Sequence, residues 1–257
     1  MKRRTIFVLV VFLTVSVPGL YALDNLPIEQ YFQQAAEFYQ QEEYRQALDN
    51  YLQIMDNGYE GAVLFYNIGN CYFKLHEKSQ ALLWYERALR LDPSNEDIKH
   101  NISYINQTLI DKIDKMPEFL LVQWWNNLSR SMTSNGWAVV SIVACLLFFT
   151  MLLLIIIARR RWLQSISLLL SIVFFVCLVI TIVFSRKEQL RYVKNQEAII
   201  TQSVVIAKST PTHSGSDLFA IHEGLKVAIT DRIGEWYEIK LSNGEKGWVE
   251  GENLEKI

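Results

Sequence analysis

Histidine and cysteine are scarce in this chain of 257 residues, four of the first and three of the second, and both are scattered. His76, His100, His213 and His222 show no metal-ligand spacing, and Cys71 has no companion outside the apolar runs that hold Cys145 and Cys177. Neither a disulfide framework nor a zinc site is supported, and nothing calls for a cofactor. A charge surplus is also missing. With 25 basic against 27 acidic residues and no basic stripe interleaved with aromatics, the chain does not read as a nucleic-acid binder. It has no G-x-S-x-G elbow, no H-E-x-x-H and no phosphate-cradling glycine loop, so it reads as a non-enzyme. Thr212, His213, Ser214 and Asp217 sit together only in a turn-rich stretch.

Two long runs without a charge dominate what is present. Residues 137–158 and 162–184 are predominantly apolar, carry no charge, and clasp Arg159, Arg160 and Arg161 between them. Each slightly exceeds the ~20 residues that cover a hydrocarbon core of about 30 Å. Neither carries the polar stripe of an amphipathic soluble helix. They read as a transmembrane hairpin with a short turn at 159–161. The alternative, a pair of buried core helices, would place three arginines in a tight turn inside a core. With no ionisable residue in either run, no transport site is expected at the midplane.

The amino terminus reads as an address. Met1, Lys2, Arg3 and Arg4 precede a short apolar run, then Pro18, Gly19 and Ala22, the pattern of a secretory signal over residues 1–22, with an uncleaved anchor as the alternative. If its basic end stays inside, residues 23–136 and 185–257 lie outside, and the arginine triplet lies inside, as the positive-inside rule prefers. Arg186, Lys187, Arg191 and Lys194, just after the second run, pull the other way.

Residues 23–115 are acidic, 15 against 8, and contain two adjacent units of 34 residues, 28–61 and 62–95. In the second, Gly69, Tyr72, Ala81, Tyr85, Ala88 and Pro93 occupy relative positions 8, 11, 20, 24, 27 and 32. The first repeats Ala35, Phe38, Ala47 and Tyr51 and then weakens. Small residues at 8 and 20 let two helices approach, and aromatics at 11 and 24 fill the space beside them. The pattern resembles the tetratricopeptide repeat, a helix–turn–helix unit. Residues 96–114, with isoleucines at helical spacing, read as a helix capping the solenoid. The inward positions form a candidate groove for a peptide or helix: Phe32, Ala36 and Tyr39 in one unit, Tyr66, Asn70, Phe73 and Lys74 in the other. The alternative for each is plain superhelix packing. Carboxyl-terminal peptide capture is not expected, because Phe32 and Ala36 stand where that activity needs a basic residue and an asparagine.

Residues 116–136 approach the first apolar run. Met116 and Pro117 end the capping helix, and Trp124 and Trp125 suit a helix lying in the membrane interface, with Trp137 entering the bilayer. A docking face for a partner is the alternative. Interfacial anchoring is thus expected of Trp124, Trp125, Trp137, Arg159, Arg160 and Arg161.

After a helical extension and linker over 185–196, residues 197–257 carry short β-branched runs separated by turns, the pattern of a small barrel. Ser242, Asn243 and Gly244 give a hairpin signal in which both central residues can take positive φ. The series Phe219, Gly224, Val227, Trp236, Tyr237, Gly244, Gly247, Trp248 and Val249 resembles the bacterial SH3 domain. Its tryptophans are expected mainly in the core.

The expected architecture is multidomain: an all-α tetratricopeptide solenoid, a two-helix transmembrane hairpin and a small all-β SH3-like barrel. In that order, behind a signal, the segments resemble the BatE family of the Bacteroides aerotolerance operon. The resemblance implies a scaffold in the bacterial inner membrane with both soluble parts in the periplasm, and a link to oxidative or envelope stress. It implies as partners other Bat proteins with von Willebrand A-type domains and a MoxR-type ATPase. A cell-wall sensor that binds peptidoglycan through the barrel is the alternative.

Overall fold

The computed structural model describes residues 26–113, 119–194 and 197–257. The signal at 1–22 and the helix stop at Met116 and Pro117 lie outside the described residues. Among these residues, eight α-helices precede an all-antiparallel sheet, so a helical repeat, an apolar hairpin and an SH3-like barrel follow one another as the sequence implies.

The repeat comprises α1 (Leu26–Gln40), α2 (Tyr44–Asp56), α3 (Ala62–Lys74) and α4 (Lys78–Leu91), closed by α5 (Glu96–Thr108). Ala35, Ala47 and Ala81 are fully buried, as is the aromatic ring of Tyr85. Gly69 explains its own presence: a Cβ there would stand 2.7 Å from the Tyr85 ring and 3.3 Å from the Ala81 carbonyl oxygen. The two helical hairpins turn alike. Glu42 (φ 64°) and His76 (φ 65°), one repeat length apart, both take the left-handed conformation. Behind them the Glu43 N–H returns to the Phe38 carbonyl at 2.9 Å, and the Glu77 N–H to that of Tyr72 at 3.0 Å. This is the Schellman closure, here built without glycine. Asn95 caps α5, its Oδ1 accepting from the N–H groups of Asp97 and Ile98 at 3.1 Å each.

The capping helix is shorter than its isoleucine spacing implies. It stops at Thr108, and Leu109 is extended (ψ 151°). Contacts beyond it account for the departure. The Asp111 carboxylate accepts from the backbone N–H of His222 at 2.6 Å and meets its Nδ1 at 2.8 Å. Leu109 covers Gly224, and Ile113 packs on the barrel core.

The barrel strands are β1 (Glu197–Ile200), β2 (Val204–Lys208), β3 (Asp217–His222), β4 (Lys226–Ile233), β5 (Trp236–Lys240), β6 (Lys246–Glu250) and β7 (Leu254–Lys256), ordered β3-β2-β6-β5-β4-β1-β7. The hairpin between β5 and β6 differs from the expected two-residue turn. Only Gly244 takes positive φ (92°), with its N–H on the Leu241 carbonyl at 3.0 Å and the Leu241 N–H on Glu245 at 2.9 Å. A three-residue loop with glycine at its left-handed end gives that closure. Gly247 lets β6 cross its neighbours closely, since a Cβ would lie 2.8 Å from that of Ala207.

Strand β1 joins the two soluble parts. Side chains alternate across a strand, so Ala198 and Ile200 enter the barrel core while Ile199, fully buried, joins the helical core together with Ile257. Around that apolar contact runs a polar seam. Lys226 bridges Glu86 of α4 and Glu197 of β1 at 2.9 and 2.8 Å. Arg87 reaches Glu255 at 3.1 Å and the Lys256 carbonyl at 2.7 Å, and Arg90 donates to the Ile257 carbonyl.

Between these parts in sequence lie α6 (Leu120–Ser129), α7 (Ser134–Ile157) and α8 (Arg161–Lys194). The last two are long and apolar enough to cross a membrane. They pack on each other through Ser141 and Thr181 (3.0 Å) and through Ser134 and Ser185. At roughly 1.5 Å per residue, the 34 residues of α8 extend about 50 Å, well beyond one hydrocarbon core. The helical extension after Phe184 is therefore continuous with α8, and α6 packs beside it.

Candidate protein-interaction site

The helical repeat presents a row of aromatic and amide side chains from α1, α3 and α5. Phe32 meets Tyr51 edge-on at 5.3 Å, and Tyr39 meets Tyr44 at 5.2 Å. Lys74 lies over the Tyr44 ring at 5.7 Å. Tyr66 stacks on Tyr85 at 5.7 Å, and the Tyr85 hydroxyl donates to Asn70 Oδ1 at 2.6 Å. Asn101 of α5 donates to the Tyr66 hydroxyl (3.4 Å) and to Asn70 Oδ1 (3.5 Å). Phe73 meets Tyr104 at 5.8 Å.

Thus Tyr66 and Asn70 come together through Tyr85 and Asn101, Phe73 pairs with Tyr104, and Tyr39 and Lys74 converge on Tyr44. Phe32 stands apart, against Tyr51. Each has an internal partner, so the row combines packing with partial exposure. Sequence reasoning passed over Tyr104, which is 52% exposed, and Val63, which is 65% exposed. The three-residue spacing of Asn101 and Tyr104 on a helix following a repeat was the available signal.

Beneath the row lies Cys71, fully buried. Burial pushes its thiol up to about 12. Burial likewise raises the phenols of Tyr39 and Tyr51 to about 12, helped by the nearby Cys71. The thiol therefore behaves as a small apolar filler, without the thiolate character that reactivity requires. The row offers shape, aromatic area and amide groups, with no reactive thiolate among them.

A second surface lies on the barrel. His213, Arg232, Trp236, Tyr237, Glu250 and Lys256 line a cleft of about 690 Å³. His213 Nδ1 is 2.9 Å from Glu250, and its ring is 5.4 Å from that of Trp236. Arg232 and Lys256 sit over the Tyr237 ring at 5.2 and 4.9 Å. Cations, carboxylates and aromatic faces thus lie within one cleft. Among the described residues no group of three or more His, Cys, Asp and Glu side chains comes together to hold a metal ion.

The tryptophans around the hairpin divide by role. Trp124 is 60% exposed, whereas Trp125 and Trp137 turn onto Phe184 with ring centroids at 4.6 and 4.9 Å. The Trp137 indole N–H donates to the Ser129 carbonyl at 2.9 Å, which satisfies a buried donor. Arg159, Arg160 and Arg161 are exposed at the far end.

Comparison with known families agrees with these shapes. Residues 62–95 match the tetratricopeptide repeat, which here is α3, α4 and the turn beyond. Residues 203–255 match the bacterial SH3 domain, which leaves β1 outside the match. No match is found among curated proteins. Both matched domains are of kinds that bind other molecules, and together they give the chain a protein-interaction character.

Proposed function

We propose that this protein is a membrane-anchored scaffold whose helical repeat grips a protein partner. The observation that carries the reading is the division of surfaces on the repeat. The barrel docks on α4 through Lys226, Arg87 and Ile199, while the aromatic row from Tyr39 to Tyr104 stays presented. The apolar hairpin supports the membrane placement by its length and composition. With a secretory signal at 1–22, both soluble parts face the periplasm and Arg159, Arg160 and Arg161 face the cytoplasm. Reporter fusions after residues 115, 161 and 257 then read outside, inside, outside. A photo-crosslinker at Val63 captures the partner in cells, and its failure to trap any membrane or periplasmic protein overturns the reading.

The resemblance to the BatE family supplies candidate partners: Bat proteins with von Willebrand A-type domains and, through them, a MoxR-type ATPase. It also supplies the context of oxidative or envelope stress. Since the turn at 159–161 leaves little chain in the cytoplasm, contact with an ATPase there passes through those partners.

A second reading assigns the barrel cleft to peptidoglycan. Its support is the grouping of Trp236, Tyr237 and His213 with both cations and carboxylates. The detergent-solubilised chain then sediments with purified sacculi, and Trp236→Ala stays in solution. Equal behaviour of the two removes this reading and leaves the scaffold.

A further inference from the structure

One surface takes no part in the aromatic row or the barrel cleft. At the end of the hairpin nearer the soluble parts, α6, the start of α7 and the extension of α8 form a collar around Phe184, which is fully buried. Residues 119–136 and 184–191 hold four cations, Arg130, Arg186, Lys187 and Arg191, against one carboxylate, Glu188. That carboxylate is engaged, accepting from Ser129 Oγ at 2.6 Å and from Arg191 at 2.7 Å. Lys187 is tied to Asn126 Oδ1 at 2.8 Å, and Arg130 and Arg191 lie near enough for their charges to bear on it. Glu197, on the barrel side, is held by Lys226.

Two further features share the collar. The first residues of α6 and the one before them, Phe119, Leu120, Leu121, Val122 and Trp124, are all exposed apolar side chains. The N-terminus of α7 also lies here, capped by the Thr133 hydroxyl, which accepts from the Gly136 N–H at 3.2 Å, with the Ser134 hydroxyl donating to the Ser185 carbonyl at 3.0 Å; the positive end of its dipole adds a weak preference for an anion. A soluble partner would meet either the grease or the charge. An anionic phospholipid offers both, an acyl boundary beside a phosphate.

We propose that this collar selects phospholipids of net negative charge, seating the headgroup phosphate between Arg130 and Lys187, with Arg186 adding its charge at the same level of the hairpin, while α6 lies on the acyl boundary. The inference rests on the membrane reading above. Cations at the level of the headgroups and an apolar helix beside them are the elements by which interfacial segments recognise anionic leaflets.

The test uses the full chain with Trp162→Phe, which leaves Trp124, Trp125 and Trp137 as the tryptophans near lipid. It is reconstituted in vesicles of phosphatidylcholine, alone or mixed with phosphatidylglycerol, and quenching by the dibrominated form of each lipid is compared. The expected result is a preference for phosphatidylglycerol of at least about fivefold. It falls below about twofold in Arg130→Gln, Arg186→Gln, Lys187→Gln, and survives in Arg159→Gln, Arg160→Gln, Arg161→Gln at the far end. Because Lys187 bonds Asn126, the pair Arg130→Gln, Arg186→Gln, both exposed, serves as a milder variant and should lose part of the preference. Equal quenching by the two lipids, or a preference that both collar variants retain, overturns the proposal. If vesicle flotation after carbonate washing still recovers the chain, the membrane reading stands without it. If the chain does not float, both fail.

Discussion

Lys226 of the barrel and Glu86 of the repeat meet at 2.9 Å across the boundary between two domains. The Glu86 side chain is only 10% exposed, and the same ammonium holds Glu197. Removing one partner of such a pair leaves an uncompensated carboxylate in a poorly hydrated site, which costs more than the pair itself contributes. Lys226→Ala is expected to lose about 3 kcal/mol in denaturant unfolding of the detergent-solubilised chain. Adding Glu86→Gln should restore part of it by removing the stranded charge. If Lys226→Ala unfolds at the wild-type midpoint, the seam does not hold the domains together.

The same seam sets a pH dependence. Burial works to raise the Glu197 carboxyl, but the charge and hydrogen bond of Lys226 outweigh it and leave it below its ordinary value. A lowered acid contributes stability above its unfolded value and loses it as pH falls through the folded one. Burial works to lower Lys226, and Glu86 and Glu197 outweigh it, so its share is present below the ordinary lysine value and lost as pH rises past the folded one. The docked form is therefore expected to weaken below about pH 4.5 and above about pH 10.5. Unfolding midpoints of wild type and Glu197→Gln should converge as pH falls below that lower limit. A constant gap assigns the acid sensitivity elsewhere.

Gly69 tests the repeat itself. A methyl group there meets the Tyr85 ring at 2.7 Å, and that ring is pinned by its hydroxyl on Asn70. Gly69→Ala gains helix propensity, about 1 kcal/mol, but the overpacking costs about 1–3 kcal/mol. A net loss of about 1 kcal/mol is expected in thermal melts. In a Tyr85→Leu background Gly69→Ala should be more stable than Tyr85→Leu alone, recovering the propensity gain because the flexible side chain can yield. A stabilised single variant would show that the ring moves freely.

Much of this was legible in the sequence because it is periodic. The 34-residue spacing located Gly69 and Ala81, and the charge-free runs located α7 and α8. What escaped depends on contacts between distant segments. Ile199 reads as one more β-branched strand residue, yet it is buried in the helical core because β1 is covered on both faces. The end of α5 escaped because Ile113 keeps helical spacing, whereas Asp111 binds His222 across 111 positions. The pattern places Trp137 at the membrane interface, whereas the turn of its ring onto Phe184 with its N–H on the Ser129 carbonyl depends on where α6 lies. In the groove, the pattern named the residues of α1 and α3. It could not supply Tyr104, whose part depends on where the capping helix lies.

Glu42 and His76 hold the left-handed conformation at φ 64° and 65°. For residues with a Cβ this costs about 1–2 kcal/mol, and neither side chain is buried. Glycine removes that strain but adds freedom to the unfolded chain, about 0.4–1 kcal/mol in the other direction. Glu42→Gly and His76→Gly are each expected to stabilise the repeat by about 0.5 kcal/mol. The two effects should add, since the turns are separate closures. A loss in either variant, measured by denaturant unfolding, would mean that the side chain makes a stabilising contact of its own.

The groove prediction turns on Phe73 and Tyr104, whose rings meet at 5.8 Å while Tyr104 stays half-exposed. Truncating an exposed aromatic removes contact area from a partner with little cost to the fold, whereas truncating a half-buried one charges both. Tyr104→Ala is therefore the cleaner probe: partner capture in cells should drop by about 10-fold or more, as at an aromatic hot spot, with the unfolding midpoint nearly unchanged. Phe73→Ala should lower both. Lys74→Glu, which replaces the cation over the Tyr44 ring, should shift the salt dependence of capture without altering stability. If Tyr104→Ala retains full capture while Val63 crosslinks persist, the partner sits on the edge marked by Val63, and the aromatic row belongs to packing alone.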